Sequence, residues 1–172
     1  MVHMYIDLTN IAEDKEYELE FQAQGDNELF DARNIEFFSP LKLKGTYRLL
    51  NDVVQLKANL SFTIKAACDN CLVSVEKEYL IPIQETFHKD SESPEEYGYS
   101  GYKVDLSPMI REKILLNLDG KIVCKEDCKG ICAVCGSDLN KNECSCKTES
   151  KNNPFAILKS IVGGAKNGST KK

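Results

Sequence analysis

Residues 54–65 read Val54-Gln55-Leu56-Lys57-Ala58-Asn59-Leu60-Ser61-Phe62-Thr63-Ile64-Lys65. Apolar and polar side chains alternate along the whole stretch. Successive side chains of a β-strand point to opposite faces, so the alternation predicts a strand with one buried and one solvated face. Two cysteines, Cys68 and Cys71, follow this strand in a C-x2-C arrangement.

The segments on both sides show the same period of two. Tyr17, Leu19 and Phe21 alternate with polar residues, and so do the apolar residues at 41, 43, 47 and 49. Asn51-Asp52 predicts a turn between that second strand and residues 54–65. Beyond Cys71 the apolar positions are 73, 75, 79, 81 and 83, and Lys77 interrupts them. We therefore predict an antiparallel sheet with one wet face, in which a long hairpin carries Cys68 and Cys71 at its turn.

Helical signals come after the strands. Residues 88–102 are polar and then rich in tyrosine, which predicts a mobile loop whose tyrosines pack on the sheet rather than stack on bases. Asp105 or Ser107 can cap a helix that Asp119-Gly120 ends, with Gly120 as the C′ residue. Its apolar stripe consists of Leu106, Met109, Ile110, Ile114 and Leu118.

These patterns predict an α+β fold, an antiparallel, barrel-like β-sheet packed by one helix, with a small Cys-rich zinc-binding C-terminal segment. We expect a β-rich domain with the packing helix over residues 1–120 and a Cys-rich zinc module over residues 121–150. A short helix from Asn153-Pro154 and a basic flexible tail are expected over residues 151–172.

The eight cysteines form four closely spaced pairs. Zinc in a structural site takes four soft ligands in a tetrahedron, so eight thiolates suffice for two complete sites. The preferred division gives one ion to Cys68, Cys71, Cys124 and Cys128, and a second ion to Cys132, Cys135, Cys144 and Cys146. An interleaved division stays open, in which the pair 68/71 joins 132/135 and the pair 124/128 joins 144/146.

Other uses of the cysteines are possible but less favoured. A disulfide framework, an iron–sulfur cluster and a redox C-x-x-C pair are the alternatives. A catalytic zinc commonly uses histidine, and both histidines, His3 and His88, lie far from any cysteine in the sequence. The deaminase, phosphate-loop, dinucleotide and nucleophile-elbow motifs are absent from the sequence, so we expect no enzyme.

The N-terminal residues carry no signal-peptide pattern, and no stretch has the apolar length of a membrane span. We therefore expect a cytoplasmic protein with reduced thiols and no membrane contact. The formal charge is −5, but residues 151–172 carry five lysines and no acidic residue. Candidate nucleic-acid contacts are basic residues of two strands and this tail, namely Lys42, Lys44, Arg48, Lys57, Lys65, Lys159 and Lys166.

Several of these motifs together resemble the bacterial YceD family over residues 40–162. The resemblance rests on Cys68-x-x-Cys71 after a long strand and on segments of the helix, the cysteine block and the C-terminal end: Val104-Asp105-Leu106, Arg111-Glu112, Ile114-Leu115-Leu116, the run from Cys124 to Cys132, Cys135-Gly136, Leu139-Asn140, Cys144-Ser145-Cys146 and Asn153-Pro154-Phe155-Ala156. Members of that family usually have Leu-Pro after the helix, where this chain has Leu118-Asp119-Gly120.

The resemblance implies a role in accumulation of 23S ribosomal RNA of the large subunit. We expect a zinc-stabilised, non-enzymatic ribosome-biogenesis factor that promotes synthesis, processing or accumulation of this RNA. Its partners would be ribosomal RNA or large-subunit ribosomal proteins. The alternatives are a zinc-ribbon protein-interaction module and a thiol-redox or RNA-processing enzyme. No catalytic residue is carried over from the family.

Overall fold

A computed structural model of the chain describes residues 4–27 and 35–146. The chain divides into two compact units, Met1–Lys129 and Gly130–Lys172. The predicted domain limits at residues 120 and 150 stay predictions. The predicted short helix and basic tail, with Lys159 and Lys166, lie outside the described residues.

The first unit contains eight strands and one helix within the described residues. The elements are β1 (Tyr5–Asp7), β2 (Glu16–Ala23), β3 (Ile35–Phe37), β4 (Leu41–Leu50), β5 (Val53–Ala67), β6 (Ser74–Lys89), β7 (Tyr97–Tyr99), β8 (Lys103–Asp105) and α1 (Ser107–Asn117). A six-stranded sheet has the order β2-β4-β5-β6-β7, and β3 also pairs with β5. A smaller sheet joins β1 to β8.

Strand β5 is the centre of the large sheet, as its alternating sequence predicts. Its even-numbered side chains from Val54 to Ala66 are all buried, and its odd-numbered ones face solvent at least in part. The turn to β4 contains Asn51 and Asp52 with φ of 50° and 61°, the left-handed conformation that two-residue hairpin turns require. On its other side β5 pairs with β6 along its full length, from Val53–His88 to Ala67–Ser74. The predicted long hairpin is confirmed.

Helix α1 contributes to a single hydrophobic core with the strands. Leu106, Met109, Ile110 and Ile114 are buried in that core, and Leu118 packs against it, so the predicted apolar stripe is confirmed. At the start of the helix the Asp105 carboxylate accepts hydrogen bonds from the Ser107 amide and hydroxyl at 2.9 and 2.6 Å.

The end of the helix differs from the sequence-based expectation. The backbone turns extended at Leu118, with φ −69° and ψ 136°. The glycines with positive φ in the described residues are Gly101, Gly130 and Gly136, so Gly120 does not act as a left-handed C′ residue. Asp119 instead bonds to two side chains of β6, Lys77 Nζ at 2.6 Å and Tyr79 Oη at 2.6 Å.

The prediction that residues 88–102 form a loop was wrong in part, because strands occupy both ends of the stretch. Strand β6 runs to Lys89, and β7 pairs with its end in parallel, from Phe87–Tyr97 to Lys89–Tyr99. Tyr97 Oη donates to Glu112 at 2.8 Å, and Tyr99 Oη donates to the Asp52 carbonyl at 3.0 Å. These hydrogen bonds hold residues 97–99 against the helix and the sheet, where they form strand β7. The polar sequence around them does not predict this strand.

The barrel-like part of the predicted fold is not confirmed. Among residues 4–27 and 35–146, β2 and β7 end the order of the large sheet and do not pair with each other. The sheet is therefore mostly antiparallel and open. In the same ranges no helix combines the length and the apolarity that crossing a lipid bilayer requires.

Candidate metal centres and the charged face of the sheet

Four cysteines of the first unit meet at the tip of the β5–β6 hairpin. Cys68 and Cys71 lie in the connection between the two strands, and Cys124 and Cys128 come from the segment after α1. The four sulfur atoms all lie within 4.8 Å of one another. We call this set the hairpin cysteines.

A reciprocal pair of hydrogen bonds holds the two segments together. The Asp69 amide donates to the Ile122 carbonyl at 2.8 Å, and the Ile122 amide donates to the Asp69 carboxylate at 2.6 Å. The Asn70 side chain also donates to the Cys128 carbonyl at 3.5 Å. Because Ile122 is itself buried in the core, these contacts place Cys124 beside Cys68. The sequence does not predict this role of Asp69, because its only signal there is its place inside the C-x2-C pair.

The other four cysteines meet within the second unit. The sulfur atoms of Cys132, Cys135, Cys144 and Cys146 also lie within 4.8 Å of one another. An isolated bridge between Ile131 and Asp138 closes the loop that carries the first pair. We call this set the C-terminal cysteines. The thiols are thus grouped in the preferred division, and the interleaved alternative does not match the structure.

The two C-x2-C pairs have the same backbone geometry. In the hairpin cysteines the Leu72 amide donates to the Cys68 carbonyl at 2.9 Å, and the Cys68 amide donates to the Val73 carbonyl at 2.8 Å. The C-terminal cysteines repeat this with Gly136 and Ser137 around Cys132, at 2.9 and 2.8 Å. The residue after each second cysteine is left-handed, with φ 61° at Leu72 and 73° at Gly136. This turn directs both sulfur atoms of a pair toward one point.

The sulfur positions fit a single tetrahedral metal ion in the hairpin cysteines. Cys68 and Cys128 have sulfur atoms 3.9 Å apart, and those of Cys71 and Cys124 are 3.6 Å apart. A tetrahedron with zinc–sulfur bonds of about 2.3 Å has edges of about 3.8 Å. A disulfide needs sulfur atoms roughly 2.05 Å apart, and all eight cysteines are free thiols. Two groups of four cysteines could therefore hold metal ions, and zinc is compatible with both.

Hydrogen-bond donors lower the pKa of Cys68 in the hairpin cysteines and of Cys132 and Cys135 in the C-terminal cysteines. Burial raises the pKa of Cys68, but amides of Cys71, Asn70 and Cys124 outweigh it and lower this pKa to about 6. The Ser137 hydroxyl, 3.1 Å from the Cys135 sulfur, and the Ser137 amide lower the pKa of Cys135 to about 6. The contact with Cys135 raises the pKa of Cys146 to about 12. A bound divalent cation lowers the pKa of all four thiols of a group, since it stabilises every thiolate around it.

The predicted basic residues of the sheet share one face. Strands β4 and β5 pair, so Lys42, Lys44, Arg48, Lys57 and Lys65 all lie on the exposed face of neighbouring strands. On the same face lie six glutamates, three on β2 and three on β3 and β6: Glu16, Glu18, Glu20, Glu36, Glu76 and Glu78. Lys44 lies 3.4 Å from Glu20, and Arg48 lies 3.9 Å from Asp14. The basic stripe is therefore bordered by carboxylates on both sides.

Comparison with known proteins assigns the chain to a family. A family model described as large ribosomal RNA subunit accumulation protein YceD matches residues 56–162, more than half of the chain. The chain belongs to the YceD family. The resemblance inferred from the sequence is confirmed, and the matched YceD region contains all eight cysteines, from Cys68 to Cys146.

Two curated relatives match shorter parts of this YceD chain. Both are named large ribosomal RNA subunit accumulation protein YCED homolog 1, chloroplastic. The protein of Arabidopsis thaliana is 36% identical over 56 residues, which are 33% of this chain and 17% of the relative. The protein of Zea mays is 41% identical over 46 residues, which are 26% of this chain and 16% of the relative. No solved structure matches this chain.

Proposed function

We propose that this chain is a non-enzymatic factor that promotes the synthesis, processing or accumulation of 23S ribosomal RNA in the large ribosomal subunit. The observation that carries the proposal is the YceD family match over residues 56–162. The names of the plant relatives support it, since both refer to accumulation of large-subunit ribosomal RNA. We propose the cytoplasm as its compartment, although those relatives are named chloroplastic.

Depletion of the protein in its own host tests this role. We expect loss of large subunits and of mature 23S RNA relative to small-subunit RNA, measured by gradient profiling and by RNA quantification. Re-expression of the wild-type chain should restore both. Unchanged large-subunit RNA after verified depletion would refute the proposal.

We further propose that the hairpin cysteines and the C-terminal cysteines each hold one structural zinc ion. The four-sulfur geometry supports a single tetrahedral ion, and four thiolates without histidine are typical of structural rather than catalytic zinc. Elemental analysis of the purified chain should find about two zinc ions per molecule with no titratable thiol. Zinc-free chains with reactive thiols would favour the alternative of a thiol-redox enzyme.

We also propose that the chain contacts RNA directly. The candidate residues are the five basic residues of the sheet face. The bordering glutamates favour the alternative of a protein-interaction module, because they weaken the positive potential at the stripe. Binding to 23S fragments across a salt series separates the two. Lysine contacts to phosphate predict affinity that falls steeply with salt and is lower in Lys42→Glu/Lys57→Glu, whereas absent binding supports the protein-interaction module.

A further inference from the structure

The outer edge of β2 is an open sheet edge. Strand β2 ends the order of the large sheet and pairs on its inner side with β4, from Glu16–Arg48 to Ala23–Leu41. No described strand pairs with its outer side. A strand at an edge leaves every second amide and carbonyl free to pair with another chain. At 8 residues, β2 is long enough to receive a full added strand.

The face of β2 that points to the core is incompletely covered. Tyr17, Phe21 and Ala23 are only half-buried there, whereas Leu41 and Leu43 on the neighbouring β4 are 1% and 0% exposed. Leu19, between them on the same face, is 5% exposed, so the incomplete cover is confined to the two ends of this strand, beyond which no described strand lies. Apolar side chains of an added strand would complete this edge of the core.

The opposite face of β2 is acidic. Glu16, Glu18 and Glu20 alternate with the apolar positions, and all three are exposed. Glu20 lies 3.4 Å from Lys44, but both side chains are about three-quarters exposed, and Glu16 accepts a hydrogen bond from Thr46 at 3.0 Å. These carboxylates stay accessible to a partner, and basic side chains opposite them would form favourable cross-strand pairs.

We propose that the outer edge of β2 binds an extended segment of a partner protein in which basic and apolar side chains alternate. The segment adds a strand to the sheet: its backbone pairs with β2, its apolar side chains cover Tyr17 and Phe21, and its basic side chains face the glutamates. A second copy of this chain fits poorly, because antiparallel pairing of two β2 strands with like faces aligned sets glutamates opposite glutamates. Nucleic acid fits poorly because its phosphates would meet the same carboxylates.

The proposal rests on the sheet edge and stands apart from the role in ribosomal RNA. The test uses the purified full chain and a fluorescein-labelled 8-residue peptide of alternating lysine and valine, matching the length of β2. Two control peptides have the same composition, one with shuffled order and one with backbone N-methyl groups on alternate residues. We expect the alternating peptide to bind about tenfold tighter than either control in fluorescence anisotropy. Amide NMR shifts on binding should concentrate at residues 16–23.

Matched variants test the acidic face. Glu18→Lys/Glu20→Lys should weaken the alternating peptide by about tenfold, whereas Glu76→Lys/Glu78→Lys, with the same change in net charge on β6, should leave its affinity within about twofold. Circular dichroism checks that both variants fold. If one variant does not fold, the comparison of the alternating and N-methylated peptides on the wild-type chain still tests the proposal. The proposal would be overturned if the three peptides bound equally or if both variants lost the same affinity. It would also be overturned if the chain self-associated through β2, or if an RNA fragment displaced the alternating peptide from residues 16–23.

Discussion

At the scale of single residues, the two C-x2-C turns use different amino acids for the same backbone conformation. Gly136 takes its φ of 73° at little cost, because it has no Cβ. Leu72 takes a φ of 61° with a Cβ, in a side chain that is 65% exposed. Left-handed φ costs an ordinary residue roughly 1–2 kcal/mol, so the hairpin turn contains strain that the C-terminal turn does not.

Leu72→Asn should therefore raise the free energy of unfolding by about 1 kcal/mol, since asparagine tolerates the left-handed conformation and little buried surface is lost. Gly136→Leu should lower it by about 1–2 kcal/mol, although the added Cβ would meet open space. Urea unfolding of the metal-loaded chains measures both changes. Val73→Asn is the control, because Val73 is also exposed but has no left-handed φ. Destabilisation by Leu72→Asn would show that the leucine side chain itself is required.

Asp69 is the residue that connects the two halves of the hairpin cysteines. Asp69→Ala removes the acceptor of the Ile122 amide, and leaving that amide unpaired should cost about 1–3 kcal/mol of folding free energy. If the hairpin cysteines hold a metal ion as proposed, that ion should then transfer to a chromophoric chelator faster than it does from the wild type. Asp69→Asn keeps an acceptor oxygen and should recover most of the loss. If alanine and wild type released metal at the same rate, Asp69 would have no role in placing the cysteines.

At the scale of elements, two irregularities in the sequence explain each other. Lys77 interrupts the apolar face of β6, and Asp119 stands where the family resemblance leads us to expect a proline after the helix. In the structure the two side chains form an ion pair, and Tyr79 donates to the same carboxylate. A further ion pair joins Lys113 of α1 to Glu85 of β6. The helix and its exit are therefore aligned along β6 by polar contacts at two places.

The pKa of Asp119 provides a test of this contact. The hydrogen bond from Lys77, followed by that from Tyr79, lowers this pKa below the ordinary value of 3.8. A carboxyl with a lowered native pKa stabilises the fold above its unfolded pKa, and the contribution is lost as the pH falls through the native value. Carbon-13 NMR titration of the Asp119 carboxyl should give a value below 3.8 in the wild type and a higher one in Lys77→Met. Lys65→Met, which removes a lysine elsewhere on the hairpin, should leave it unchanged; a shift in both variants would contradict the specific contact.

At the scale of the whole molecule, each group of cysteines belongs to one unit. The hairpin cysteines lie within Met1–Lys129, and the C-terminal cysteines lie within Gly130–Lys172. The first group is supported by a sheet with a large buried core, whereas within the described part of the second unit the buried apolar residue is Cys132, which is itself a member of the group. Metal binding should therefore contribute most of the folding free energy of residues 130–146.

Hydrogen exchange of single-cysteine variants tests this difference. In Cys135→Ser, amide protection should be lost over residues 130–146, because these described residues of the second unit bury little apolar surface apart from Cys132. In Cys71→Ser, protection should fall around residues 68–73 and 122–128, while β4 and the centre of β5 keep theirs. Ser137→Ala serves as a milder control at the C-terminal cysteines. Full protection of residues 130–146 in Cys135→Ser would contradict a structural metal there.

The sequence alone determined strands β2, β4, β5 and β6, helix α1 and the close spacing of the cysteines in pairs. Residues 54–65 specify a half-buried strand, since a period of two records which side chains face a core. The helical stripe from Leu106 to Leu118 records its buried face in the same way. Local periodicity contains no information about which segments meet across fifty residues of chain.

Only the tertiary structure decided the contacts between distant segments. It paired Lys77 with Asp119 and Asp69 with Ile122. It placed β7 parallel to β6 and left β2, with its three glutamates, at the edge of the sheet. It also grouped the thiols, because four sulfur atoms can surround one ion only where the fold brings their segments together. Each of these outcomes depends on packing of the whole chain, which sets the neighbours that a residue's own sequence context leaves open.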